Sequence, residues 1–392
     1  MDRVQGPVTA SHVMAPGGRD VRIDFLRGLA LIFIFVDHVP DSLLSLVSLR
    51  SYAFADAAEL FFFLSGFVAA MVYGRMVRNK GFFAAAWRIW RRAWVLYVAQ
   101  ILLFTFVIAE ISLAVAATGH GYYHGHFRLG AFLARPDSAI VHALLLRYQP
   151  AYLDILPVYI LLLAAFPLVL AGLSRNLWLV LVPSAALYLA VQVWSFTLYT
   201  FPAGEGWFFD PLAWQFLFVL GASLGHPRLK ERWEFVGNVW LLRSAMVFAA
   251  LAAVIEFPEA LRMLWPHMPS LKTFALPIDK ATLAPLRIAS FLALALVARR
   301  YVPAGPSLMR TVFARALILC GKHSLHIFCL GVLLAVAGRI IADETGHSLF
   351  VQLCVSLLGI AALLGFAGYL EGLHQGRFRP MALFAIRSGQ PA

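Results

Sequence analysis

Three polar clusters interrupt stretches that are otherwise apolar, and their residue types are those of proton-transfer chemistry. The first opens with Arg22-Ile-Asp24-Phe-Leu-Arg27-Gly28 and continues in the same stretch with Asp37-His38-Val-Pro40-Asp41. On a helix, Asp24 and His38 lie nearly four turns and about 21 Å apart, on almost the same face. The second cluster is Asp56-Ala-Ala-Glu59, followed by Leu-Phe-Phe-Phe-Leu-Ser65-Gly66. Asp56 and Glu59 are three apart and share a helix face. A short connection between the two stretches predicts an antiparallel hairpin that brings Asp56 and Glu59 toward Asp37, His38 and Asp41. Four carboxylates and one imidazole would then meet where an ionised group costs about 2.5–3.5 kcal/mol. Such a group either pairs two helices or forms a reactive, water-filled site. The cost of so many acids with no Lys or Arg among them favours the second reading.

The third cluster is Cys320-Gly321-Lys322-His323-Ser324-Leu-His326. His323 and His326 share a face. His323 is the better functional candidate, and His326 reads as a packed core histidine. Lys322 can snorkel to the surface. Gln100, Glu110 and Glu256 read as helix glue or outer-edge charge. Asp154, Trp214 and Gln215 are further polar misfits. No phosphate-binding loop, HExxH or GxSxG motif is present. His120, His124 and His126 stand in a Gly-rich loop with no carboxylate beside them in sequence, so no metal is expected. Tyr122, Tyr123, Trp207, Phe208, Phe209 and Trp265 read as an interfacial belt or as flat platforms for a sugar.

The elements that position these residues are membrane helices. Hydrophobic residues make up 61% of 392, against roughly 45–50% in soluble domains. The mean hydropathy of +0.79 points the same way. A soluble globular domain, a disordered chain and a coiled coil are excluded. The apolar runs are helical in length, not the short alternating strands of a barrel. The expected fold is all-α, a polytopic bundle of about ten transmembrane helices over 28–48, 57–74, 93–113, 152–173, 177–199, 211–226, 236–257, 284–299, 316–337 and 348–370. Pro157 and Pro167 can kink the fourth. Residues 1–20 and 372–392 are expected as tails flanking a membrane domain at 21–371. The first 20 residues lack an apolar signal core.

The formal charge of +12 reads as orientation rather than nucleic-acid binding. With both termini in the cytoplasm, roughly three quarters of the lysines and arginines fall on the inner side. The longer outer loops then cover 114–151 and 258–283. Three cysteines in apolar runs, with no CxxC, give no disulfide framework. No repeat, heptad or low-complexity tract is visible, which argues against an inverted-repeat transporter.

Several blocks in order resemble the OpgC family. They are Arg22-x-Asp24-x-x-Arg27-Gly28, Asp37-His38-x-Pro40 and Asp56-Ala-Ala-Glu59-x-Phe-x-Phe-Leu-Ser65-Gly66. Tyr152-Leu-Asp154-Ile-Leu-Pro157-Val-Tyr159, Pro211-Leu-Ala-Trp214-Gln215, Asp279-Lys280 with Ala284-Pro285-Leu-Arg287, and Gly321-Lys322-His323-Ser324 follow. The resemblance implies a multi-pass protein of the bacterial inner membrane with ten spans and cytoplasmic ends. It implies a succinyltransferase acting on periplasmic glucan. More distantly, the chain resembles the wider transmembrane acyltransferase superfamily, in which His38 matches the catalytic histidine of one branch. The acids beside it are similar to this family rather than to the whole superfamily.

The resemblance also implies acyl-CoA as donor, succinyl-CoA foremost, and a glucan acceptor, with membrane lipid around the bundle and no nucleic acid. A homo-oligomer is compatible with the sequence. His38, with Asp37, Asp56, Glu59 and His323, is the expected catalytic set. His38 acts as general base, a carboxylate orients it, and His323, Ser324 or Gln215 donates to the oxyanion. Arg22, Asp24, Arg27, Arg75, Arg91, Arg92, Arg299, Arg300 and Lys322 are expected at the donor, where phosphates meet an arginine rim. Asp41, Tyr123, Asp154, Trp214, Gln215, Trp265, Asp279, Lys280 and Arg287 are expected at the acceptor. A tunnel between spans one, two and nine would carry the donor arm. The competing reading is a transporter or flippase for an acylated or sugar-linked lipid.

Overall fold

The computed structural model describes residues 14–15, 19–229, 237–265, 267–268, 277–301 and 306–375. Most of both expected tails, and Lys230, Arg232, Lys272, Arg377, Arg379 and Arg387, lie outside them. Among the described residues the only extended pairing is Met14–Ala15 with Arg19–Asp20. The rest is helical: α1 (Val21–His38), α2 (Ala57–Lys80), α3 (Phe82–Thr118), α4 (Tyr122–His126), α5 (Gly130–Ala134), α6 (Pro136–Leu144), α7 (Ile155–Arg175), α8 (Trp178–Trp194), α9 (Pro211–Gly225), α10 (Val239–Leu261), α11 (Pro285–Tyr301), α12 (Pro306–Met309), α13 (Val312–Lys322), α14 (Ser324–Thr345) and α15 (Leu349–His374).

Six of these, α2, α3, α7, α10, α14 and α15, are long and apolar enough to cross a membrane, and α8 and α9 are shorter apolar helices. Their outer faces leave large apolar side chains uncovered, among them Phe106, Leu113, Leu168, Val182, Val247, Leu251 and Leu358. Such a surface is stable only against lipid.

Two expected spans are corrected. The first helix occupies Val21–His38 rather than 28–48. Pro40 stands just past its end, where the chain cannot continue a helix, and 3-10 turns over Leu43–Val47 and Leu49–Ser51 follow. The expected ninth span is two helices, α13 and α14, meeting at His323 with φ −101° and ψ 31°. His323 and His326 therefore do not belong to one uninterrupted span.

Local chemistry sets the helix starts that matter for the site. Asp20 caps α1 through the Arg22 amide. At α2, Asp56 Oδ1 accepts from the Ala58 amide at 2.8 Å while Glu59 Oε2 accepts from the Asp56 amide at 2.8 Å, a capping box. Asp210 and Pro211 start α9 in the same N-cap and N1 manner.

The centre of the bundle is α1 lying along α13 and α2 lying along α9. Both crossings need glycine. A Cβ on Gly321 would fall on the Asp24 carbonyl, and one on Gly225 on the Phe67 carbonyl. Small residues permit this backbone approach in membrane bundles. The close α1–α13 crossing seats the inner end of α1, while its outer end, at His38, is left facing α2, α14 and the loops.

Candidate functional site

His38 ends α1. Its ring Nδ1 lies 2.5 Å from the Ile34 carbonyl oxygen. A carbonyl only accepts, so Nδ1 carries the proton and Nε2 keeps the lone pair. The expected carboxylate orienter is thus replaced by a backbone carbonyl one turn earlier. The Tyr152 ring stands against the imidazole with centroids 4.9 Å apart.

Two cavities meet at this histidine. One, about 330 Å³, is lined by Leu31, Ile34 and Phe35 of α1, Ala57 and Ala58 of α2, Ile155, and Ile327, Phe328 and Val332 of α14. The three expected spans contribute to it, together with α7 and with Phe208, Phe209 and Lys280 of the loops. Its lowest lining residue on α1 is Leu31, seven residues and about 10 Å below His38, so it stops short of the inner arginines. The other cavity, about 780 Å³, is polar and lined by Asp41, Glu256, Glu259 and Arg339, among others. Asp37, His38, Arg50, Asp56 and Tyr152 line both. The five form a throat between an apolar slot and a polar vestibule.

The acids at the throat are paired, contrary to the expectation of an uncompensated cluster. Asp56 receives Lys280 Nζ at 2.6 Å and Arg287 at 3.2 Å. Arg287 also reaches the fully buried Glu59 at 2.7 Å. Burial acts to raise the Asp56 carboxyl, but Lys280 and Arg287 outweigh it and hold the group well below the usual carboxylate range. Asp37 Oδ1 accepts from Ser48 at 2.7 Å. Arg50 points its guanidinium at the Asp37 carbonyl, 3.4 Å away.

Several expected acceptor residues instead build this wall. Arg287 is a buried partner of Asp56 and Glu59 that also lines the vestibule. Trp214 is fully buried, its indole N–H 3.1 Å from the Lys280 and Ala281 carbonyls. Tyr188 and Gln192 bond the Leu283 and Thr282 carbonyls. Together they fix the loop that delivers Lys280. Asp279 turns inward on Thr282, whose hydroxyl and amide bond it at 2.6 and 2.8 Å; those bonds outweigh partial burial and hold it low. Gln215 bonds Ser184 and the Leu212 carbonyl and lines neither cavity. It is not in reach of an oxyanion at His38.

Tyr123 is fully buried and donates to Glu344 Oε1 at 2.7 Å, which excludes it as an open platform. Glu344 also takes His120 Nδ1 at 2.8 Å. The histidine loop therefore has a carboxylate beside it in space, supplied from the end of α14. Trp265 is exposed and lines neither cavity. Asp41 pairs with His347 at 3.2 Å in the vestibule. Asp154 lines the slot, buried, 3.9 Å from Arg128.

His323 is corrected more sharply. It stands with Lys322 on Glu371, at 3.1 and 2.6 Å, while Arg27 donates to Ser324 at 2.7 Å. This is the other end of α1 from His38, and neither cavity includes it. His323 and Ser324 cannot serve the same reacting carbonyl as His38. Arg22 is tied to Asp20 at 2.7 Å, and Asp24 is buried against α13. Arg75, Arg91, Arg299 and Arg300 are exposed and Arg92 half-buried. None of them lines either cavity.

Sequence reasoning missed Tyr152, Arg50 and Glu371 as members of these clusters. Tyr152 had a signal in its block beside Asp154. Its backbone has φ +70°, a left-handed conformation uncommon for a non-glycine residue and typical of constrained sites.

A family model described as OpgC protein matches residues 19–375. No curated protein matches the chain, and no solved structure does.

Proposed function

Because this chain belongs to the OpgC family of membrane proteins, whose members succinylate glucan, we propose that it moves a succinyl group from acyl-CoA on the cytoplasmic side of the bacterial inner membrane to a hydroxyl of periplasmic glucan, with His38 as the base. The observation that carries this reading is the throat. His38 is at once the top of an apolar slot that fits a thin thioester arm and the floor of a polar vestibule that fits a sugar.

In the reaction, the glucan oxygen attacks the thioester carbonyl while Nε2 takes its proton. The tetrahedral oxyanion collapses, the C–S bond breaks, and the imidazolium returns the proton to the leaving thiolate. The Ile34 carbonyl fixes the tautomer this requires. Lys280 and Arg50 replace His323, Ser324 and Gln215 as the positive charge near the developing oxyanion. A thioester is already activated, so neither a metal nor ATP enters the scheme.

Orientation supports the reading. On this reading α1, α8, α9 and α11 cross with the six long apolar helices, α13 continuing the pass of α14, which gives ten alternating passes. The arginine-rich ends then face the cytoplasm with both termini, where they would meet the donor's phosphates. The test is transfer from succinyl-CoA to a β-glucan oligosaccharide by the purified protein. Wild-type turnover that vanishes in His38→Ala, with CoA binding retained, supports it. Undiminished turnover in that variant overturns the assignment of His38. A flippase would instead translocate lipid with no thioester consumed.

A further inference from the structure

A few buried polar atoms among the described residues have no hydrogen-bond partner: Ser65 Oγ, Gln100 Oε1, Glu110 Oε2, His142 Nδ1, Asp154 Oδ1, His226 Nδ1 and Arg262 Nε. Only Asp154 among them lines a cavity with His38: it stands in the slot at the end where Tyr152, Asp56 and Lys280 also line it, beside the throat through which an acceptor hydroxyl must reach the thioester. A buried carboxylate oxygen with no donor costs on the order of 1–3 kcal/mol or more, so its retention here needs a reason. Arg128, 3.9 Å away, offsets charge without making a hydrogen bond of ordinary length.

The backbone delivers this oxygen deliberately. Residues 150–153 form a turn, leading directly into Asp154, in which the Leu153 amide bonds the Pro150 carbonyl at 3.1 Å and the Ala151 amide bonds the Phe127 carbonyl at 3.1 Å. Gln100 of α3 donates to the Leu153 carbonyl at 3.3 Å. The one turn thus presents Tyr152 to the His38 ring and Asp154 to the same cavity. A donor that arrives with a substrate can take this place. The attacking hydroxyl has a single proton, which goes to Nε2. A sugar differs from a simple alcohol in carrying a second hydroxyl close to the first.

We infer that Asp154 is an acceptor-binding residue whose Oδ1 takes a hydrogen bond from a hydroxyl neighbouring the one that attacks, so that the site selects polyhydroxylated acceptors over monohydric alcohols. This rests on the acyl-transfer reading above. The alternative donor, an amide N–H of the CoA arm, is an outcome of the test.

The experiment uses the full-length protein with succinyl-CoA and two acceptors, a short β-glucan oligosaccharide and 1-propanol. Wild-type protein should prefer the oligosaccharide. Asp154→Asn should lower kcat/KM for the oligosaccharide about ten-fold or more, the scale of one hydrogen bond to a charged group, through acceptor KM. Transfer to 1-propanol should stay within about two-fold in the same sample, which also reports that the variant is folded. Gln100→Leu loosens the turn without touching Asp154 and should produce a smaller loss with the same selectivity. Equal losses on both acceptors, as binding of the CoA arm would give, overturn the inference, and so does no loss on either. Wild-type protein that transfers to neither acceptor overturns the acyl-transfer reading instead.

Discussion

The two ends of α1 carry charged clusters of similar make-up and opposite design. At the inner end, Lys322 and His323 both rest on Glu371, and Arg27 bonds Ser324. Glycine contacts bring α13 close against α1 there, and neither cavity enters. At the outer end, Lys280 and Arg287 likewise compensate Asp56 and Glu59. There, however, two cavities meet, one histidine nitrogen keeps its lone pair, and one carboxylate oxygen has no donor. Ion pairing by itself therefore does not mark a reactive site. Pairs hold helices together at both ends, and what separates them is space beside groups that pairing leaves unsatisfied.

The sharpest way to break this comparison is at His38. Loss of a positioned base should reduce turnover by at least about 10²-fold, measured as His38→Ala transfer rate with thermal stability unchanged. Next is the wall. Arg287→Met leaves Asp56 with Lys280 alone and strands Glu59 without a cation, and breaking such a buried pair costs about 3–5 kcal/mol. Thermal unfolding should show a large drop, partly reversed in the Arg287→Met/Glu59→Gln double variant; no reversal would mean that Arg287 acts elsewhere. Glu59→Gln alone should keep the fold and lower turnover about ten-fold by shifting Asp56 and Lys280 beside His38. At the inner end, Glu371→Gln should cost about 1 kcal/mol, since Lys322 is substantially exposed. Its turnover at saturating donor should remain within two-fold of wild type by rough expectation. A loss as large as that of His38→Ala would erase the distinction between the two ends. Trp265→Ala should change neither turnover nor acceptor KM, because the side chain lines neither cavity.

Much of the outer end was legible in the sequence. The three-residue spacing of Asp56 and Glu59 and the short connection after Asp41 were enough to bring both helices to His38. The same Asp-x-x-Glu ahead of an apolar run is also a capping-box signature, which explains part of why both acids are there. Lys280 and Arg287 are named by the resemblance, but their pairing with Asp56 and Glu59 is not legible in the sequence. Their bonds to Asp56 and Glu59 span more than two hundred residues, and no periodicity encodes such a contact. His323 was misplaced because the run from Ala316 to Ala337 is apolar enough to read as one helix. The break falls at His323, just past the Gly321 contact with α1, and no proline marks it in the sequence. Tyr123 reads as a sugar platform and Trp214 as an acceptor residue because an aromatic's burial is not visible from its neighbours in sequence.

The central claim is that the throat at His38 joins a donor route from one side of the membrane to an acceptor route from the other. Purified protein in sealed proteoliposomes, with succinyl-CoA in one compartment and β-glucan oligosaccharide in the other, tests it directly. Succinylated glucan should form only when the arginine-rich face of the protein meets the CoA compartment, and product should appear only in the opposite one. Transfer that runs as well when donor and acceptor share a compartment at the outer face would contradict it.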